Sequence, residues 1–570
     1  MILEVLAALS LAYLGWSMVS MEINYRRASS MGIPLVRLPI DPNNLVWMVL
    51  ESQLWPILDR LPIDLGSLSR YGRRGWHFAD KANSHLQYGS IWALVTPVDI
   101  YVHVADANTV HDIFDRRSDF LRPSKMYKLL EVYGPCISTA SWKDWPRHRK
   151  VLATPFNESI MTFVWDESVK QTRQMLSTWT DASSPAIESV ARDTRTLSLN
   201  VLAATGFRRS YEFMGANKNP VSSTTTTRQA EMATKTPSSY RDALQTVLDN
   251  CIMLMIMPQR VLSLPFAPAS WRRVAKAASS FKVHMARMLD EEIDALKAGK
   301  SGSGGIMTSF VRAMDLKQHE DAKGGSVKGL SLDEIFGNIF VINFAGHDTT
   351  ANTLAFATLL LAAHPDVQEW VAEELAEVMA GADTEGGYDA LFSKLKRSKA
   401  IMLETLRLYP PIMALPKWTN DQPQSLQVGE QTIVIPPNTG VMPGVLALHT
   451  HPAYWEDPLA WKPRRWISTN NDESDALSPG DEVLLTPPKC TYIPWSDGPQ
   501  NCPGTRFSQV EFVAVMASLL RHHRIEIVGA AGESLEDARR RVLDTVNDVD
   551  QEMLLRMKDA DRVRLVCRRA

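Results

Sequence analysis

One cysteine in this chain stands where its sulfur could ligate a metal. In the stretch Trp495-Ser-Asp-Gly-Pro-Gln-Asn-Cys-Pro-Gly504, Cys502 lies between Gly498 and Gly504, with Pro499 and Pro503 stiffening the loop. Glycine carries no Cβ, so backbone at these positions can approach a flat ligand closely. Proline fixes φ and removes a donor, so the loop is held rather than loose. The apolar run over 507–520 reads as a helix, and the N–H groups at its start favour a thiolate. Taken alone, a cysteine beside a turn is more often a buried structural residue.

Three further stretches carry groups able to do chemistry. Ala345-Gly-His-Asp-Thr-Thr350 interrupts an otherwise apolar helical pattern. Gly346 costs about 1 kcal/mol relative to alanine inside a helix, and the threonines add to this. Such a departure from local consistency tends to mark function. The structural alternative is that Asp348 and Thr349 satisfy backbone groups in a kinked helix. Glu404 and Arg407 are three apart on one helical face, a pair worth only about 0.2–0.5 kcal/mol when exposed. Trp145 and Arg149 are four apart and share a face, with His148 beside them; a solvated basic helix end is the commoner meaning of such a run.

The elements that must position these groups are legible in part. Ser331-Leu-Asp-Glu334 is a capping box, so a helix starts there and runs to Pro365. At 1.5 Å per residue it would be about 50 Å long, enough to cross the interior. Residues 91–95 and 100–104 alternate as two strands around a Pro97–Asp99 turn, residues 533–543 read as a charged helix, and 554–557 with 562–567 as a closing hairpin. Residues 217–239 are a loop without periodicity, and the stretch from Gly299 is a linker, because Asp294 stands where a phosphate-binding loop needs glycine.

Composition bounds the partners. The chain has 570 residues, 45% hydrophobic and 22% charged, and a net charge of -3, which gives no reason to expect nucleic acid. Five cysteines without a Cys-x-x-Cys spacing speak against a disulfide scaffold or a zinc site. Residues 2–21 are almost wholly apolar, followed by Arg26 and Arg27, and predict a transmembrane anchor over 1–25 with its basic flank in the cytoplasm. A cleaved signal peptide would need a basic residue first and a small-residue cleavage site. Pro34, Pro39, Pro42 and Pro56 then mark a connector over 26–60, in which 45–58 forms a surface or core helix.

Together these pieces resemble the cytochrome P-450 family. The aromatic Trp495 and Gly498-x-x-x-Cys502-x-Gly504 are similar to its haem-binding loop, and 345–350 to its oxygen-binding segment. Glu404-x-x-Arg407 with Arg465 is similar to its buried triad, and Trp145-x-x-x-Arg149 to its propionate-binding pattern. The pieces occur in the family's order, over residues 60–570. Gln500 stands where the family usually has a propionate-binding arginine, Lys417 where it often has another, and Arg464 where it has glutamate.

The resemblance implies a mainly α fold with small β-sheets, a long central helix over haem b and a catalytic region over 61–570. It implies Cys502 as the iron ligand, Asp348 and Thr349 as catalytic, and Trp145, His148, Arg149 and Lys417 around the propionates. Trp495, Gly498 and Gly504 would shape the loop. It further implies a monooxygenase acting on a small apolar substrate with O2, resembling enzymes of fungal secondary metabolism. Electrons would come from NADPH through a separate reductase, with cytochrome b5 as a second donor, since no Gly-x-Gly-x-x-Gly follows a strand and no length remains for a flavin domain. The location implied is the endoplasmic-reticulum membrane, with the catalytic part cytosolic. Two other readings stay open: a haem-thiolate isomerase or dehydratase needing neither oxygen nor reductase, and a haem-binding sensor.

Overall fold

The computed structural model describes residues 2–570 apart from 63, 154–156, 182–185, 217–239, 300–304, 322–328, 381–386, 470–478 and 552. The loop expected over 217–239 and most of the linker after Gly299 lie outside the described residues. Helices dominate, with small sheets at one side, and the central helix is the organising element. It spans Leu332–Ala363, 32 residues, and its capping box forms as expected. Ser331 Oγ accepts from Glu334 N at 3.3 Å, and Glu334 Oε2 accepts from Ser331 N at 2.7 Å.

Apolar side chains cover this helix on nearly every face, among them Phe336, Phe340, Leu354 and Phe356. Helices Val190–Phe207, Lys396–Leu408 and Leu535–Asn547 pack on it. Two glycines permit close crossings. A Cβ at Gly337 would overlap the Gly134 carbonyl, so the 133–137 loop lies directly on the helix. A Cβ at Gly346 would come 3.2 Å from Leu202 Cδ2, where the Val190–Phe207 helix crosses.

A six-stranded sheet sets the other wall. Its order is Leu35–Arg37, Ile91–Val95, Ile100–Val104, Gly440–Pro443, Lys417–Thr419 and Phe120–Leu121. The expected hairpin of Ile91–Val95 with Ile100–Val104 forms, with Ala93 opposite Val102. At the far end Leu121 pairs with Trp418, which brings Arg122 beside Lys417 across nearly three hundred residues of chain.

Two expectations are corrected. The closing hairpin does not form: Leu555–Met557 pairs with Val549–Gln551, and Leu565–Arg569 pairs with His523–Ile527. A 3-10 turn over Ala560–Arg562 parts the two strands, so each finds a partner elsewhere. The membrane-spanning anchor is not supported either, because among the described residues no helix is long and apolar enough to cross a membrane. Ile2–Ser29 is one helix, but Glu4, Glu22, Arg26 and Arg27 charge it. Its last turns join the fold: Asn24 Nδ2 donates to Thr96 O at 3.0 Å, and Ala28 is buried. The side chains at 2, 3, 5–7, 9 and 10 lie outside those described.

Candidate active site

Between the central helix and the cysteine loop lies a cavity of about 440 Å³. Phe344, Ala345 and Thr349 face it from the helix, Cys502 and Trp495 from the loop. The loop is held by its own backbone. Cys502 N donates to Trp495 O at 2.8 Å, and Asn501 N donates to Gly498 O at 3.2 Å. Gly498 has φ 67°, which favours glycine, and a Cβ there would come 2.9 Å from Phe114 O. Trp495 Nε1 donates to Ser508 Oγ at 3.1 Å and so ties the loop to the helix Thr505–Leu520.

Of the five cysteines, Cys502 alone is exposed, and its exposure is to the cavity. Burial pushes its thiol up, while the Gly504 N–H and the Arg149 charge pull the other way. A Cβ at Gly504 would meet Sγ only at 3.7 Å, so crowding at the sulfur does not require that glycine.

One edge of the cavity is cationic. Lys417 Nζ donates to Gln500 Oε1 at 3.1 Å, and Arg122 donates to Gln500 O at 3.2 Å and Ile137 O at 3.0 Å. Arg149 donates to Asn501 O at 2.9 Å and to its Oδ1 at 2.7 Å. None of these three cations has a carboxylate partner among the described residues. Burial and the nearby Arg122 lower the Lys417 ammonium to about 7. Trp145 also lines the cavity.

His148 is corrected. It does not line the cavity but is buried against the central helix, where Nδ1 meets Asn338 Nδ2 at 3.0 Å and Nε2 lies 3.5 Å from Glu334 Oε1. Its place at the cationic edge is taken by Arg122, which sequence reasoning missed. Only the pairing of Phe120–Leu121 with Lys417–Thr419 reveals it. Met553 and Leu554, from near the C-terminus, also line the cavity and were likewise unread.

Thr349 faces the cavity and its Oγ1 donates to Ala345 O at 2.8 Å. Thr353 and Thr358 back-bond in the same way at 2.8 Å, which satisfies these polar groups inside an unbroken helix. Asp348 points elsewhere. Arg195 Nε donates to its Oδ1 at 2.6 Å and Nη2 to its Oδ2 at 3.0 Å. Burial opposes its charge, but His347 and Arg195 hold the carboxyl below its ordinary value. Arg195 also reaches Asp249 at 3.0 Å.

Behind the loop Glu404 and Arg407 are fully buried together. Arg407 donates to both carboxylate oxygens at 2.9 and 2.8 Å, and Arg465 Nε to Oε1 at 3.0 Å. Trp466 Nε1 adds a bond at 2.9 Å and Lys462 N one at 2.8 Å. Arg464 stays outside this network, exposed over the Trp370 ring.

A model of the cytochrome P-450 family matches residues 62–543. The chain belongs to the cytochrome P-450 family. A cytochrome P-450 monooxygenase of Arthrobotrys oligospora is 28% identical, over 96% of this chain and 95% of its own. One of Penicillium rubens is 27% identical over 90% of each. A phomenoic acid biosynthesis cluster cytochrome P-450 monooxygenase of Leptosphaeria maculans is 28% identical over 90% of each. A solved cytochrome P-450 haem domain aligns with a TM-score of 0.63 at 18% identity, over 90% of this chain and 96% of that one.

The residues present fit a haem. A cytochrome P-450 needs a thiolate facing the cavity and cations for two propionates. Cys502 meets the first need; Arg122 and Lys417, which line the cavity, and Arg149, bonded to the lining residue Asn501, meet the second. A buried lysine without an anion is costly, so these groups are suited to an anionic ligand.

Proposed function

We propose that this cytochrome P-450 is a haem-thiolate monooxygenase, placing one oxygen atom from O2 in a small apolar metabolite of a fungal biosynthetic pathway. The observation that carries the reading is the Cys502 sulfur and the Thr349 hydroxyl facing one apolar cavity. When bound, the haem supplies the activation of O2, and thiolate ligation favours O–O cleavage. Cys502 would ligate its iron, and Arg122, Arg149, Lys417 and Trp145 would hold its carboxylates.

The protein's own residues do the rest. Phe344, Leu130, Ile137, Ile412 and Leu415 exclude water and orient an apolar substrate. Because the Thr349 hydroxyl donates its one hydrogen bond to Ala345 O, its oxygen is left to accept a hydrogen bond from within the cavity. Asp348 is ionised and clamped by Arg195, so it passes a proton inward only by exchanging that guanidinium for water.

Two electrons come from NADPH through a separate reductase. An endoplasmic-reticulum location, with the catalytic body on the cytosolic side, belongs to the same proposal. The cluster-encoded relative from Leptosphaeria maculans supports a biosynthetic role. The test is turnover of purified protein with candidate metabolites, with and without reductase and NADPH. Product formed only when both are present is expected. Full turnover without them would instead mark an oxygen-independent isomerase.

A further inference from the structure

Outside the haem cavity, His111, Cys490 and Asp497 bring one ligand atom each within 4.8 Å of one another, the one such set among the described residues. We propose that these three side chains form a zinc site that pins the Ala107–Asp115 helix to the cysteine loop.

Three independent elements converge there. His111 lies on that helix, Cys490 precedes the loop, and Asp497 is inside it, next to Gly498. Cys490 is only 4% exposed and takes φ 60°, a left-handed conformation that residues bearing a side chain seldom adopt. The Cys490 thiol donates to Asp497 Oδ2 at 2.9 Å. His111 Nδ1 lies 3.7 Å from the same oxygen and makes no hydrogen bond, although the atom is buried. A sulfur, an imidazole nitrogen and a carboxylate oxygen form the mixed donor set that zinc accepts, with a fourth position left to water. His111 and Asp497 are each about one-third exposed (side chains 36% and 32%), so the ion has a path from solvent.

Uptake exchanges a proton for the metal. The thiol proton, held by Asp497 in the metal-free state, leaves to solvent as the Zn–S bond forms. The imidazole changes tautomer, since Lys489 Nζ now donates to Nε2 at 2.8 Å and Nδ1 therefore carries the hydrogen. Lys489 is at the surface and is free to withdraw.

The test uses the haem-loaded full chain, stripped of loose metal with a chelator, incubated with zinc chloride and desalted. Zinc and iron per chain are then measured by elemental mass spectrometry. One zinc per chain is expected, and at least tenfold less in His111→Ala, a variant of a partly exposed helix residue that does not itself line the cavity. Absorption at the zinc edge should show one sulfur at about 2.3 Å. Cys490→Ser should remove that sulfur while iron content holds; should it fail to fold, His111→Ala decides alone. No retained zinc, equal zinc in His111→Ala, or a zinc spectrum without sulfur would overturn the site. Iron content reports separately on haem, so the monooxygenase reading stands or falls independently.

Discussion

Lys417 Nζ and Gln500 Oε1 meet at 3.1 Å, so the residue that stands where the family has an arginine serves as acceptor rather than donor. Gln500 neither supplies nor cancels charge, and Lys417 remains buried without an acidic partner among the described residues. An unfolded lysine titrates at its ordinary value of 10.5, whereas this one is lowered by burial to about 7. The unfolded chain therefore binds more protons across that window, and stability of the haem-free fold rises with pH from about 7 to 10.5. Denaturant midpoints of haem-free protein should show this rise, and Lys417→Met should flatten it.

The same lysine should bind haem more strongly than its geometry in the free cavity reveals. A charge-assisted hydrogen bond contributes about 1.5–3 kcal/mol, so Lys417→Met should raise the haem dissociation constant roughly tenfold or more. Transfer of haem to an acceptor globin measures this. Arg122→Leu should act in the same direction. Unchanged transfer in both variants would place the propionates elsewhere.

Glu404 has no contact with water, and five donors converge on it. Removing Arg407 strands a buried carboxylate, which costs about 3–5 kcal/mol. Arg407→Ala should therefore yield little folded, haem-bearing protein, read by absorbance per chain and thermal midpoint. Arg465→Ala, at a partly exposed position, should lose much less. Equal losses would mean that Arg407 acts through packing alone.

What the sequence made legible was local. The capping box at Ser331 and the long apolar run define the central helix, because capping and periodicity act over a few residues. The cysteine loop is contiguous in sequence, so its glycines and sulfur could be read together. Arg122 was not legible, since only the register of Leu121 with Trp418 sets it beside Lys417. His148 shares a helix with Trp145 and Arg149, yet Asn338 and Glu334 of the central helix hold it away from the cavity. The misread hairpin shows the same limit, with Leu565–Arg569 choosing His523–Ile527 over its neighbour in sequence.

Gly337 offers a test of the central helix as a wall rather than a catalyst. A Cβ there would overlap the Gly134 carbonyl, and backbone cannot swing aside as a side chain can. Gly337→Ala should push the 133–137 loop outward and destabilise the fold by about 1–3 kcal/mol, the range for overpacking. Ile137 lines the cavity, so substrate affinity should fall with stability. Thermal midpoints and the substrate-induced change in haem absorbance measure the two effects.

Thr349 and Asp348 are adjacent in sequence but differ in what holds them, so their variants should fail differently. Thr349→Ala removes a hydroxyl that bonds only within its own helix turn, to Ala345 O. Folding and haem content should be unchanged, while NADPH consumption drains to peroxide in place of product. Asp348→Asn removes the charge that offsets the half-buried Arg195 guanidinium, leaving Asp249 as its remaining carboxylate. That variant should lose stability by about 1.5–3 kcal/mol, the range for a lost hydrogen bond between charged groups. Its turnover should slow with coupling less affected, because proton supply rather than proton placement is lost. The ratio of product to NADPH consumed, compared with the rate of NADPH consumption, separates the two roles. Identical behaviour of the two variants would mean that Asp348 acts only by holding the helix in place.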